Sequence, residues 1–182
     1  MKTTFYLVRH GQPDWNWAEK MRFYGPCSAY MPLTPEGVEQ IEKAARDERL
    51  QGAAFILASP YTRTMQSAQI LSRRLDLAVT VEWDLHEWLY DRDMKGDLPT
   101  PEERFGMEDM TRCFFHYMEY EELAGEDNCE TRGMIAQRVL ACLRPYEGRA
   151  EKIIVVCHEG VIRSLTGQKV VELGQIVPFT LG

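Results

Sequence analysis

The chain has 182 residues, enough for one well-packed domain and short for two. Hydrophobic residues make up 45% and charged residues 27%, ordinary for a soluble globular protein, and a net charge of −7 argues against a nucleic-acid or anionic-membrane surface. No apolar run is long enough to span a bilayer, and the first apolar segment begins too early to leave room for a signal peptide.

Phe5-Tyr6-Leu7-Val8 is apolar without polar alternation, which predicts a strand buried on both faces, as in a parallel sheet covered by helices. Arg9 and His10 follow at its carboxyl end, where ligands gather in such sheets, and Gly11 reads as the residue that lets the backbone turn. Residues 12–26 read as a loop or short helix over that strand end, with Trp15, Trp17, Arg22 and Tyr24 as packing or substrate wall. Thr34, Pro35 and Glu36 predict a helix start, with Thr34 as N-cap, and Val38, Ile41, Ala44 and Ala45 share one face of that helix.

Residues 53–58 predict a second strand, which Ser59-Pro60 closes while capping a helix through Met65, Ala68, Ile70, Leu71 and Leu75. Residues 78–82 predict a third strand and 153–157 a fourth, followed by His158-Glu159-Gly160 and another helix. Residues 175–181 read as a strand that Pro178 confines to an edge. The alternation predicts an α/β domain with right-handed crossovers. Residues 88–131, with Pro99, Pro101, Phe114 and Phe115, read as an insertion above the sheet, helical in part, and Glu119, Glu121 and Glu122 as a solvated face. Without repeats or low-complexity linkers, one domain over 1–182 is expected. Five cysteines without CxxC spacing suit reduced thiols in a cytoplasmic protein, Cys157 being a small buried residue.

The polar residues just past each strand form a set: Arg9 and His10, then Ser59 and Arg63, then Asp84, His86 and Glu87, then His158. Arginines offer permanently charged forks matched to phosphate oxygens. A histidine among such cations is driven towards its neutral, nucleophilic form. Phosphoryl transfer needs mostly positioning and positive charge, which Arg9, Arg63 and a protonated His158 supply, while Glu87 protonates the departing oxygen. His86 and His116 read as ordinary residues.

Arg9-His10-Gly11 followed by Asn16, Leu33-Thr34 with Gly37 and Gln40, Ser59-Pro60-x-x-Arg63 with Gln66 and Ala68, Leu85-x-Glu87, and His158-Glu159-Gly160 resemble the histidine phosphatase superfamily, which includes the cofactor-dependent phosphoglycerate mutases. The resemblance runs in order over nearly the whole chain and is weakest at about 88–131. It implies a three-layer α/β/α sandwich, mostly parallel, with one antiparallel edge strand. It implies His10 as the phosphorylated nucleophile, Arg9, Arg63 and His158 as the phosphate pocket, Asn16 as a further phosphate contact and Glu87 as proton donor. Phosphatase members need no metal or organic cofactor. Two departures stand out: Pro13 replaces a common hydroxyl residue, and Trp88 to Asp93 replaces a glycine-containing run, which leaves Asp84 or Asp14 as substitute proton donors.

The expected activity is hydrolysis of a small-molecule phosphate monoester, with mutase activity as the alternative, and no nucleic-acid or membrane partner. Arg22, Arg92, Lys95, Arg104 and Arg112 are candidates to read a second anionic group. A metal-dependent hydrolase is disfavoured because permanent cations at the centre repel a divalent ion. A non-catalytic phosphate-binding module ranks below an enzyme, since His10 and its companions are all present.

Overall fold

A computed structural model describes residues 2–21, 25–89, 91–92 and 128–181. The apolar runs become a five-stranded sheet: β1 (Thr4–Arg9), β2 (Ile56–Ala58), β3 (Val79–Val81), β4 (Lys152–Cys157) and β5 (Ile176–Phe179), in the order β3-β2-β4-β1-β5. All neighbours are parallel except β5, which runs antiparallel to β1 at the sheet edge. Pro178 lies in β5 opposite Tyr6, an edge position where its missing N–H breaks no interior ladder.

Strand side chains alternate between two cores. On one face Phe5, Leu7, Ile153, Val155 and Cys157 pack with Ile135, Val139 and Leu143 of α4 (Arg132–Leu143) and with Val161 and Ile162 of α5 (Glu159–Thr166). On the other, Val8, Ile154 and Val156 meet Ile41 and Ala44 of α2 (Pro35–Ala44) and Ala68, Ile70 and Leu71 of α3 (Thr62–Leu75). This makes the three-layer α/β/α sandwich. A further helix, α1 (Trp15–Met21), and a 3-10 helix at Gly25–Tyr30 follow β1.

Thr34 caps α2 as its sequence predicts, its hydroxyl accepting from the Gly37 N–H at 3.0 Å. Four expectations need correction. Val38 is 40% exposed, and the buried stripe of α2 runs through Gly37, Ile41 and Ala44 instead. The second strand is confined to Ile56–Ala58. The N-cap of α3 is Tyr61, without a side-chain cap, because the Ser59 hydroxyl is engaged elsewhere.

The fourth correction concerns Gly11, whose φ is not positive, so no turn demands a glycine there. A Cβ at Gly11 would lie 2.1 Å from the carbonyl oxygen of Gly37, and one at Gly37 would lie 2.4 Å from that of Gln12. Both glycines are needed for the close approach of the loop after β1 to the start of α2.

Arg22, Tyr24, Lys95, Pro99, Pro101, Arg104, Arg112, Phe114, Phe115, His116, Glu119, Glu121 and Glu122 lie outside the described residues. At the flanks of the expected insertion, Glu130 N–H donates to the Leu89 carbonyl at 2.8 Å and Arg92 N–H to that of Asn128 at 2.9 Å. Among the described residues no helix is long and apolar enough to cross a membrane.

Candidate active site

Strand register brings the site together. Arg9 of β1 is level with Cys157 of β4, and Ala58 of β2 with Val156. His10 and His158 therefore leave neighbouring strands at one level, with Ser59 one residue behind on the third, all at the carboxyl edge. His10 N–H donates to the Cys157 carbonyl at 3.1 Å and Ser59 N–H to that of Val156 at 3.0 Å, so the ladder extends to the site residues.

The loop carrying His10 is braced from α2 and α3. Gln12 N–H donates to Gln40 Oε1 at 2.9 Å, the Thr34 hydroxyl to Gln12 Oε1 at 2.7 Å, and Leu33 N–H to Gln66 Oε1 at 2.7 Å. Thr34 and Gln40 thus brace the loop, while Gln66 holds the Leu33 backbone just before α2.

His10 is 4% exposed. Its Nδ1 lies 2.7 Å from the Gly11 carbonyl oxygen, which can only accept, so Nδ1 carries the proton and the lone pair is on Nε2. Arg63 Nε donates to that Nε2 at 3.2 Å. The same guanidinium donates to His158 Nδ1 at 3.4 Å and to the Ser28 carbonyl at 3.0 Å. His158 Nε2 then holds its proton and donates to the Ser59 hydroxyl at 2.8 Å. The two imidazoles meet edge to face, 5.1 Å between centroids. Tyr61 closes the group: its ring lies 5.0 Å from that of His158 and 4.9 Å from the Arg63 guanidinium carbon, and burial pushes its phenol up to about 12.

Desolvation and the Arg63 charge hold both histidines well below the ordinary value of 6.5. Both influences favour the neutral form of the two imidazoles. Arg63 occupies a lone pair on each ring. Among the described residues no group of three or more His, Cys, Asp or Glu side chains is arranged to hold a metal ion.

Arg9 is committed to fixed partners. One terminal nitrogen pairs with Glu159 Oε2 at 2.9 Å, the other donates to the Val171 carbonyl, and the buried Nε has no hydrogen-bond partner among the described residues. Its charge still reaches His10, Arg63 and Glu87.

Glu87 lies at the amino end of α5, whose N-cap, His158, offers no side-chain cap. The carboxylate accepts from the Trp88 N–H at 2.9 Å and the Gly160 N–H at 3.3 Å, which places it against the positive end of the helix. Burial raises its carboxyl above the ordinary value, and the Trp88 N–H, Arg63, Gly160 N–H and Arg9 offset that only in part.

Asp14 Oδ1 accepts from the Trp17 N–H at the start of α1, and Asp84 is exposed. Asn16 is exposed on α1, and no hydrogen bond among the described residues joins it to the histidines or arginines. Arg92 is exposed, donating to the Met134 sulfur. Sequence reasoning missed the Ser59 contact, Tyr61, the Glu159 carboxylate on Arg9, and a buried Glu130–Arg138 pair behind Glu87. Only Ser59 and Glu159 carried a signal, by standing inside recognised motifs.

The histidine phosphatase superfamily (branch 1) matches residues 5–174 of the chain. The chain belongs to that superfamily. Over 67 residues, 37% of the chain and 29% of the relative, it is 42% identical to "Probable phosphoglycerate mutase GpmB" of Enterobacter sp. (strain 638). Over 82 residues, 45% of the chain and 36% of the relative, it is 34% identical to the protein of that name from Proteus mirabilis (strain HI4320). The matched part spans roughly a third of the length of these curated relatives.

Among solved superfamily folds, a phosphoglycerate mutase from Bacillus anthracis str. Sterne superposes with a TM-score of 0.67 at 15% identity, covering 98% of this chain and 88% of that one. A mycobacterial glucosyl-3-phosphoglycerate phosphatase gives 0.63 at 23% identity, covering 92% and 79%. At these identities the likeness carries the fold.

Proposed function

We propose that this protein is a phosphomonoesterase that acts through a phosphohistidine on His10. The observation that carries the reading is the His10 tautomer: Nδ1–H is bound to the Gly11 carbonyl, and the lone pair on Nε2 lies beside the Arg63 guanidinium. As the Arg63 N–H passes from Nε2 to a phosphoryl oxygen, Nε2 attacks the phosphorus of a small monoester, and an N–P bond forms as the P–O bond to the alcohol breaks. Glu87 gives its proton to the departing oxygen, a task suited to a carboxyl raised by burial. The Glu87 carboxylate then takes a proton from water, whose oxygen attacks phosphorus. The P–N bond breaks, its electrons return to Nε2, and inorganic phosphate leaves.

Arg9, Arg63 and His158 hold the phosphoryl oxygens in this reading, with Asn16 as a further contact. His158 takes up a proton as the phosphate dianion arrives, because the anion favours the imidazolium. One domain over 1–182 and a cytoplasmic location complete the proposal. The first is supported by the two cores sharing one sheet, the second by five cysteines without CxxC spacing.

Intact-protein mass spectrometry after a rapid quench should find one added phosphoryl group in wild type and none in His10→Ala. An active wild type with no such adduct under trapping conditions defeats the reading. Loss of activity in chelator that added metal restores defeats its metal independence. The mutase alternative is favoured by the names of the GpmB relatives and of the Bacillus anthracis neighbour. A mutase must keep water from the intermediate, so 3-phosphoglycerate assayed for free phosphate and for isomerised product separates the two.

A further inference from the structure

Glu130 and Arg138 form an ion pair with side-chain exposures of 6% and 14%. Arg138 Nε lies 2.7 Å from Glu130 Oε1 and a terminal nitrogen 3.0 Å from Oε2, a two-pronged contact. A buried ion pair loses hydration and is by itself weak evidence for stabilisation, so what it holds is the informative part.

Both residues hold the backbone around Glu87. Arg138 donates to the carbonyl of Asp84 and, at 3.5 Å, to that of Glu87 itself. Glu130 Oε2 accepts from the Leu89 N–H at 2.9 Å, and the Glu130 carbonyl accepts from the Trp88 indole at 2.9 Å. The pair therefore clamps the segment on both sides of Glu87, whose carboxylate must reach the Gly160 N–H of a different element. No hydrogen bond joins either residue to His10, Arg63 or His158.

We propose that Arg138 and Glu130 are positioning residues that set the Glu87 carboxylate for proton transfer. The proposal rests on the reading of Glu87 as the acid and names the pair that makes that acid effective.

Leaving-group chemistry isolates this role. p-Nitrophenolate departs without a proton, whereas the alkoxide from glycerol 2-phosphate requires one. In Arg138→Gln and Glu130→Gln, kcat/KM, which reports only the steps through departure of the alcohol and not the shared hydrolysis of the phosphohistidine, should fall by about 10²-fold for glycerol 2-phosphate while staying within about threefold for p-nitrophenyl phosphate. Arg138→Lys keeps a charge opposite Glu130 without the fork that reaches the Asp84 and Glu87 carbonyls. It should fold and still show the selective loss, which keeps the test decisive if the glutamine variants unfold.

Equal losses of kcat/KM on both substrates in a variant that melts like wild type overturn the proposal, as does no loss on either. The quenched phosphoenzyme separates this failure from the broader one. With a His10 adduct still forming, equal losses reject the positioning role alone. An active wild type lacking the adduct rejects the phosphohistidine reading and the positioning role with it.

Discussion

Arg63 donates from Nε to the Nε2 lone pair of His10 at 3.2 Å, holding the proposed nucleophile in the neutral state. The same guanidinium reaches His158 and the Ser28 carbonyl, three partners in three directions. A lysine ammonium on a flexible stem cannot serve all three. Arg63→Lys should therefore behave almost like Arg63→Ala, each losing about 10²–10³-fold in kcat/KM for an aryl phosphate. Steady-state kinetics beside a thermal melt check this, and near-wild-type activity in the lysine variant contradicts it.

The site histidines make the fold acid-sensitive. Burial and Arg63 hold both rings below 6.5 when folded, so the unfolded chain takes up protons first as pH falls through that value. Their stability contribution is present above 6.5 and is lost as pH falls towards the folded values. Glu87 acts with the opposite sign: its raised carboxyl contributes stability below 4.5 that is lost as pH rises through the folded value. Melting temperature measured between about pH 5 and 7.5 should fall on the acid side. His158→Asn should flatten that slope, and Glu87→Gln should steepen it by removing the opposing contribution.

The approach of Gly11 to Gly37 leaves no room for a methyl group. Gly11→Ala must displace backbone, at a cost of about 3 kcal/mol or more. Gly52 makes the contrast, with φ +73° and nothing within 4 Å of an added Cβ. Gly52→Ala should cost only about 1 kcal/mol, from the left-handed backbone alone. Urea titrations of the two variants test the ordering.

Ser59→Ala removes the acceptor for the His158 Nε2–H inside a fully buried group. An unsatisfied buried donor costs about 1–3 kcal/mol, and the ring is left free to reorient. Stability and activity should fall together, with Ser59→Thr, which retains the hydroxyl, recovering more of both than Ser59→Ala.

The strands were legible because two-sided burial writes continuous apolar runs, and the strand ends followed because polar residues interrupt those runs at Arg9, Ser59 and His158. Strand order was not. That β2 and β4 are neighbours, which puts Ser59 on His158, is set by pairing across the chain and leaves no mark near Ser59 itself. A serine before Pro60 and a helix looks locally like a cap, and tertiary contact overrode it. Gly11 was misread for a related reason: a glycine demanded by a neighbour looks the same in sequence as one demanded by a turn. Arg138 and Glu130 lie far along the chain from Glu87, and nothing in their spacing signals the clamp.

Arg9 is tied to the 171–175 segment through its side chain at Val171 and its backbone at Gly174 and Gln175, at 3.1 Å in each backbone bond. No residue of 171–179 is proposed to touch substrate, yet this stretch aligns one that is. A nonsense mutation at Val171 would spare every proposed catalytic group and still remove both β5 and the carbonyl that orients Arg9. Screens that judge such an allele by whether its motifs survive would score it as active, and the enzyme would be lost.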